Sequence, residues 1–166
     1  MTSADLPFPI RIELPPRWER VDPAAWGVTN AALFAVRRGL DDEYTPTLSV
    51  SGAWRTDSAS VEQIADESLT LLNEQGATDV ELVTRRVIPG EHAPAVLQAI
   101  GATAVIDGRT FDLRQIQAIS ALTDLSHPQR HAVLIYTVSC TYRQYNEMGR
   151  EFQAFMASVE VTPPQH

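Results

Sequence analysis

"PAVLQAIGATAVIDGRTFDLRQIQAISAL", residues 94 to 122, decides the fold. Two long runs rich in Ala, Val, Ile, Leu and Phe meet at Asp107-Gly108, with no helical rhythm in either. Asp and Gly both tolerate positive φ, which a tight two-residue turn needs if its twist is to match that of the strands it joins. The stretch is therefore predicted to be a β-hairpin. Its register follows from the turn: if Ile106 pairs with Arg109, then Ala104 faces Phe111, Ala102 faces Leu113 and Ile100 faces Gln115 on one side. Thr103 then lies near Asp112 and Gly101 near Arg114 on the other, more polar side. The first side reads as mostly core.

Further strands flank this hairpin. From Asp79 to Tyr142 the chain reads as four strands, broken by Pro89-Gly90, by Asp107-Gly108 and by "TDLSHPQ" (123 to 129), which predicts an antiparallel meander. Upstream, "SVEQIADESLTLLNEQG" (60 to 76) carries Val61, Ile64, Ala65, Ser68, Leu71 and Leu72 on a single helical face. Ser60 with Gln63 makes a capping box, and Gly76 a stop. "NAALFAVRR" (30 to 38) and "TLSVSGAWR" (47 to 55) are strand-like and joined by an acidic loop, giving a long-loop hairpin. "FPIRIEL" (8 to 14), stopped by Pro15 and Pro16, reads as a short edge strand. "RWERVDPAAWG" (17 to 27) reads as an irregular crossing. A closing helix is expected within residues 144 to 161, with Met148, Phe152, Phe155, Met156 and Val159 at helical spacing. Gly149 inside it costs about 1 kcal/mol relative to alanine, so packing must hold this helix.

The expected fold class is α+β: one domain over residues 1 to 166, built on an antiparallel sheet of six to seven strands with helices against it. Residues 1 to 7 and 162 to 166 are expected to fray. Hydrophobic residues make up 44% and charged residues 20%, so a real core is available. The net charge is -8, which disfavours nucleic acid and anionic membrane surfaces as partners. All 13 basic residues are arginine, a bias of codons with no function implied. Without an apolar signal run, a spanning segment or a second cysteine, the expected compartment is the cytoplasm.

The order of elements resembles the PsbP-like fold superfamily and, within it, the bacterial LpqN and DcrB groups. The residues that carry the likeness are Pro16-Arg17-Trp18 after the first strand, "TLSVSGAW" leading to the helix at Ser60, and Val87-Ile88-Pro89-Gly90 before the meander. The strand 131 to 141 ending in Cys140-Thr141 follows, and then Phe152 with Ser158-Val159. These are packing and turn signals. The resemblance implies an antiparallel sheet flanked by helices, in a superfamily whose better-understood members bind other proteins, and it brings no catalytic residues. LpqN-like proteins are typically exported lipoproteins with a lipidated cysteine near the N-terminus, and this chain departs from them in having neither the signal nor that cysteine.

Residue by residue, no catalytic constellation is complete. In the strand from 132, Ala132, Leu134, Tyr136, Val138, Cys140 and Tyr142 share one face, and His131, Val133, Ile135, Thr137, Ser139 and Thr141 the other. Cys140 and His131 therefore point to opposite sides, and Cys140 reads as a small hydrophobe in a wall. His92, His127, His131 and His166 include no helical i, i+4 pair, so no metal is expected. Asp41-Asp42-Glu43 lacks the alternating ligands and central glycine of a calcium loop and reads as a solvated turn. Arg37-Arg38 and Arg85-Arg86 each place one arginine on either side of a strand. "SVSG" (49 to 52) lacks the first glycine of a nucleophile elbow.

The function expected from these readings is a non-catalytic protein-binding or assembly module, with no cofactor. Trp26, flanked by small residues in "PAAWGV", is the candidate contact residue; the alternative is a tryptophan that lids the sheet's open end. The alternative function is a small-ligand-binding protein or an enzyme with a pocket between sheet and helix, near Gln98, Gln115 and Gln117. Three glutamines on a core-type face need partners, because a buried amide without one is costly. A homodimer through an open sheet edge is a third expectation.

Overall fold

The computed structural model describes residues 6 to 40 and 44 to 161. The acidic loop residues 41 to 43, the terminal residues 1 to 5 and 162 to 166, and with them the readings of the calcium-like loop, of fraying at those terminal residues and of His166, lie outside the described residues, while Leu6, inside the stretch expected to fray, packs against the main core. The hairpin at Asp107-Gly108 forms, with both turn residues at positive φ (50° and 78°). Its strands are Ala95–Ile106 and Arg109–Thr123, and every predicted pair is present, from Ile106 with Arg109 to Ile100 with Gln115.

In chain order the strands are β1 (Ile10–Arg11), β2 (Trp18–Arg20), β3 (Leu33–Arg37), β4 (Thr47–Arg55), β5 (Thr78–Ile88), β6 (Ala95–Ile106), β7 (Arg109–Thr123), β8 (His131–Thr141) and β9 (Glu160–Val161). Helix α1 (Val61–Glu74) follows β4, and α2 (Tyr145–Ser158) follows β8. Seven strands make one antiparallel sheet in the order β2-β3-β4-β8-β7-β6-β5. The one non-sequential neighbour explains the layout. Helix α1 carries the chain from β4 across a face to the far edge, and the meander then returns strand by strand until β8 closes against β4.

Helix α1 starts where the sequence says it should. The Ser60 side chain accepts from the Gln63 amide at 3.1 Å, and the Gln63 side chain accepts from the Ser60 amide at 2.8 Å. Two unpaired donors are thereby satisfied, and Gly76 at φ 99° lets the chain leave. The helix buries Val61, Ile64 and Ala65 against Val96, Ile119, Ala121 and Val133. The opposite face of the sheet holds the larger core. There Leu48, Val50, Leu134, Tyr136, Val138 and Cys140 pack under Met148, Phe152 and Phe155 of α2. An electrostatic tie adds to this packing: the Glu151 carboxylate accepts from Trp18 Nε1 at 2.7 Å, from Arg37 Nε at 2.7 Å and from Arg37 Nη2 at 3.0 Å.

Two expectations change. The edge strand read over residues 8 to 14 shrinks to β1, which leaves the main sheet and pairs with β9 instead. Prolines on both sides remove the donors that a longer strand would need. The true edge is β2, inside the stretch read as irregular; it pairs with β3, placing Trp18 beside Arg37. The closing helix stops at Ser158, and the residues beyond Val159 form β9.

Candidate functional site

Helix α2 lies over β7 and β8, and between it and the β5–β6 margin of the sheet runs an open cleft of about 550 Å³. Leu97, Ala99 and Ile116 form its floor, and Phe152 and Met156 form the helical wall. Strand alternation explains the floor: Leu97, Ala99 and Ile116 point to the α2 face while Gln98 and Gln117, between them in sequence, point to the α1 face. Leu97 stays 37% exposed on this floor. On the helix, Asn146, Gly149, Arg150 and Gln153 fall at i, i+3, i+4 and i+7 and present one stripe to the cleft.

Gly149 is the residue that keeps this wall thin. A Cβ placed there meets only Ile116 Cδ1, at 3.9 Å, an ordinary contact. The helix thus gives up about 1 kcal/mol of propensity with no steric demand for glycine. Arg86 from β5 and Arg150 from α2 also line the cleft. Both are exposed, and among the described residues neither side chain has a hydrogen-bond or ion-pair partner. No Asp, Glu, His or Cys is among the lining residues.

The glutamines expected at a pocket are otherwise engaged. Gln98 and Gln117 contribute strand backbone to the cleft, but their amides lie on the α1 face, in one cross-strand row with Arg85 and Thr137. Gln98 Oε1 accepts from Arg85 Nε and Nη2 at 3.0 and 2.8 Å. Gln98 Nε2 donates to Gln117 Oε1 at 2.8 Å and to the Ala65 carbonyl at 3.1 Å. Gln117 Nε2 donates to Thr137 Oγ1, and Gln115 Nε2 to Ser139 Oγ, each at 3.2 Å. Arg85 also meets Asp66 of α1 at 2.8 Å. The row ties four strands to the helix. No buried side-chain polar atom among the described residues lacks a partner.

Trp26 ends a 3-10 turn, Pro23–Trp26, that the Asp22 side chain caps and Gly27 terminates in the left-handed region. Its ring is 43% exposed and leans on Phe34 at 6.1 Å. It is both a partial cover for β3 and an accessible aromatic. Trp18 and Trp54 are packed, the latter under the Arg130 guanidinium at 4.0 Å.

Cys140 has no exposed surface and sits on the α2 face opposite Arg114. Burial pushes its thiol up to about 12, against the pull of Arg114. A thiol reagent at pH 8 is expected to label the native protein slowly and the urea-unfolded chain rapidly; equal rates would place the thiol at the surface. His127 lies 3.6 Å from Asp124, whose carboxyl is held below its ordinary range by the hydrogen bond from Arg130. No cluster of three metal-capable side chains occurs among the described residues. Arg85 and Arg86 divide between the two faces, and Arg38 pairs with Glu19 at 2.7 Å while Arg37 turns inward.

The chain shares its fold, a seven-stranded antiparallel sheet with one helix against each face, with solved PsbP-like structures. Among solved structures it is similar to LpqN of Mycobacterium tuberculosis, a protein involved in cell envelope biogenesis: TM-score 0.65 and 12% identity, over 95% of this chain and 86% of that one. Cyanobacterial PsbP (CyanoP) of Synechocystis sp. PCC 6803 superposes with TM-score 0.59 and 12% identity, over 92% of each chain. The Ran-binding protein Mog1p of Saccharomyces cerevisiae gives TM-score 0.52 and 12% identity, over 92% of this chain and 89% of that one. The sequence matches no family model and no curated protein. At such identities the likeness is one of fold. No described helix is long and apolar enough to cross a membrane.

Sequence reasoning missed the cleft arginines. The signal was present in two places, the alternation that sends Arg86 away from Arg85 and the glycine inside an otherwise regular helix.

Proposed function

We propose that the protein is a non-catalytic binding module whose ligand seat is the cleft beneath α2. The observation that carries this is the composition of the lining: an apolar floor, two arginines without partners, and no nucleophile–base pair or carboxylate. The volume lies within the roughly 300–1,000 Å³ of small-molecule sites. The cytoplasmic compartment expected from the sequence belongs to the same proposal. A second reading, contact with a protein partner, is favoured by Trp26, an accessible aromatic on a capped turn. Its likeness in fold to a Ran-binding protein is in keeping with that reading.

One experiment separates the two seats. The neutral dye Nile red is expected to bind the native chain at one site with a blue-shifted emission. Gly149→Leu, which fills the cleft over Ile116, is expected to abolish that signal while leaving the thermal midpoint unchanged or higher. Trp26→Ala is expected to leave it intact. A signal lost in Trp26→Ala and kept in Gly149→Leu would overturn the choice of cleft.

A further inference from the structure

The cleft also indicates the class of its occupant. Its charges are of one sign, and that sign is unusual for this molecule: the chain carries a net charge of -8, yet the cleft presents two guanidinium groups and no carboxylate. Elsewhere in the described structure, arginines beside acidic side chains are paired. Arg37 holds Glu151, Arg55 holds Asp57 and Glu67, Arg85 holds Asp66, and Arg130 holds Asp124. Arg86 and Arg150 are without such partners, and they stand on separate elements, β5 and α2, at the same cleft. A guanidinium is a planar fork that fits an oxyanion through two parallel hydrogen bonds. Between them the floor offers Leu97, Ile116, Phe152 and Met156, which a polar anion such as a sugar phosphate would leave unused.

From this we infer that the cleft binds a single-chain amphiphile with a carboxylate head, a medium-chain fatty acid anion, with Arg86 and Arg150 on the carboxylate and the chain along the apolar floor. A carboxylate is preferred to a phosphate monoester because the molecule repels anions as a whole, and a monoanion meets less of that repulsion than a dianion. The inference rests on the cleft being the ligand seat.

The test is competition of dodecanoate against Nile red, alongside dodecan-1-ol, dodecyltrimethylammonium and dodecyl phosphate. All ligands stay below the concentration at which they form micelles. Dodecanoate is expected to displace the dye at the lowest concentration, and the cation is expected not to compete. Arg86→Gln and Arg150→Gln, both at exposed positions, are each expected to weaken dodecanoate about tenfold, which is the loss of one charged hydrogen bond. Neither is expected to alter binding of Nile red or dodecan-1-ol. Nile red binding in which the alcohol competes as well as the carboxylate, or in which both arginine variants keep full affinity for dodecanoate, would overturn the assignment of the head group while leaving the cleft as the seat. Tighter binding of dodecyl phosphate would overturn the choice of carboxylate. A native chain that takes up neither dye nor dodecanoate would overturn the seat itself.

Discussion

Glu151→Gln is expected to remove about 3–5 kcal/mol of stability, the usual cost of breaking a buried ion pair from one side. The Arg37 side chain is only 5% exposed, and Glu151 supplies both oxygens that its fork and Trp18 address. Glu147, at 3.5 Å and half exposed, replaces little of that. The neutral amide has the shape of the carboxylate but one acceptor fewer and no charge, so a buried cation loses its counter-ion. The same pair sets an acid limit. Burial pushes the Glu151 carboxyl up, while the hydrogen bonds from Arg37 and Trp18 pull it down and prevail, leaving it below its ordinary 4.5. A depressed carboxyl contributes stability that is complete above its unfolded value and is lost as pH falls through the lower, folded value. Native stability is therefore expected to fall below about pH 4.5, and the variant, weaker at pH 7, is expected to show a shallower fall. Urea midpoints measured from pH 3 to 7 test both; an unchanged midpoint at pH 7 would show that Arg37 finds equal partners elsewhere.

Phe155→Ala should cost about as much, 3–5 kcal/mol, by a different route. Phe155 has no exposed surface and lies where α2 meets the sheet, its ring 6.3 Å from that of Tyr136 and 6.4 Å from that of Phe152. Truncation removes the apolar transfer term and leaves a void that the rigid strand backbone closes poorly. Since net stability is typically about 5–15 kcal/mol, such a loss takes a large share of it. There is also a local effect. Phe152 belongs both to this core cluster and to the cleft wall, so a helix that settles into the void narrows the cleft. Calorimetry is expected to show a midpoint lower by roughly 6–20 °C, at about 2–4 °C per kcal/mol for a domain of this size. Dye uptake is expected to fall even at temperatures where the variant is folded. A variant of unchanged midpoint would mean that α2 is held by its polar tie alone.

Much of this architecture was legible in the chain because it follows from local chemistry. Asp107-Gly108 dictates a turn, a turn dictates a register, and the register then places each side chain by parity; Cys140 and the two arginine pairs follow from that alone. The capping pair at Ser60 and Gln63 is likewise local. The rest depends on distant partners. Nothing near Ile10 states that it will meet Val161, and Trp18 becomes a strand residue only because Arg37 lies beside it. The glutamines show the same limit. Their position on a core-type face was readable, but whether they were free to hold a ligand was decided by Arg85, Thr137, Ser139 and a carbonyl of α1. A cleft is the space that two elements leave between them, and no single stretch encodes it.

The pairing of β1 with β9 has a mechanical meaning. Ile10 opposes Val161 and Arg11 opposes Glu160, so two residue pairs clasp the first strand to the last. Just ahead of the clasp Phe8 is buried in the main core and Leu6 packs against it, so tension from the N-terminal side meets that packing before it reaches the two pairs. The clasp itself, with two residue pairs, adds little beside the long pairings of β6, β7 and β8, so the N-terminal segment is held by buried side chains more than by strand hydrogen bonds.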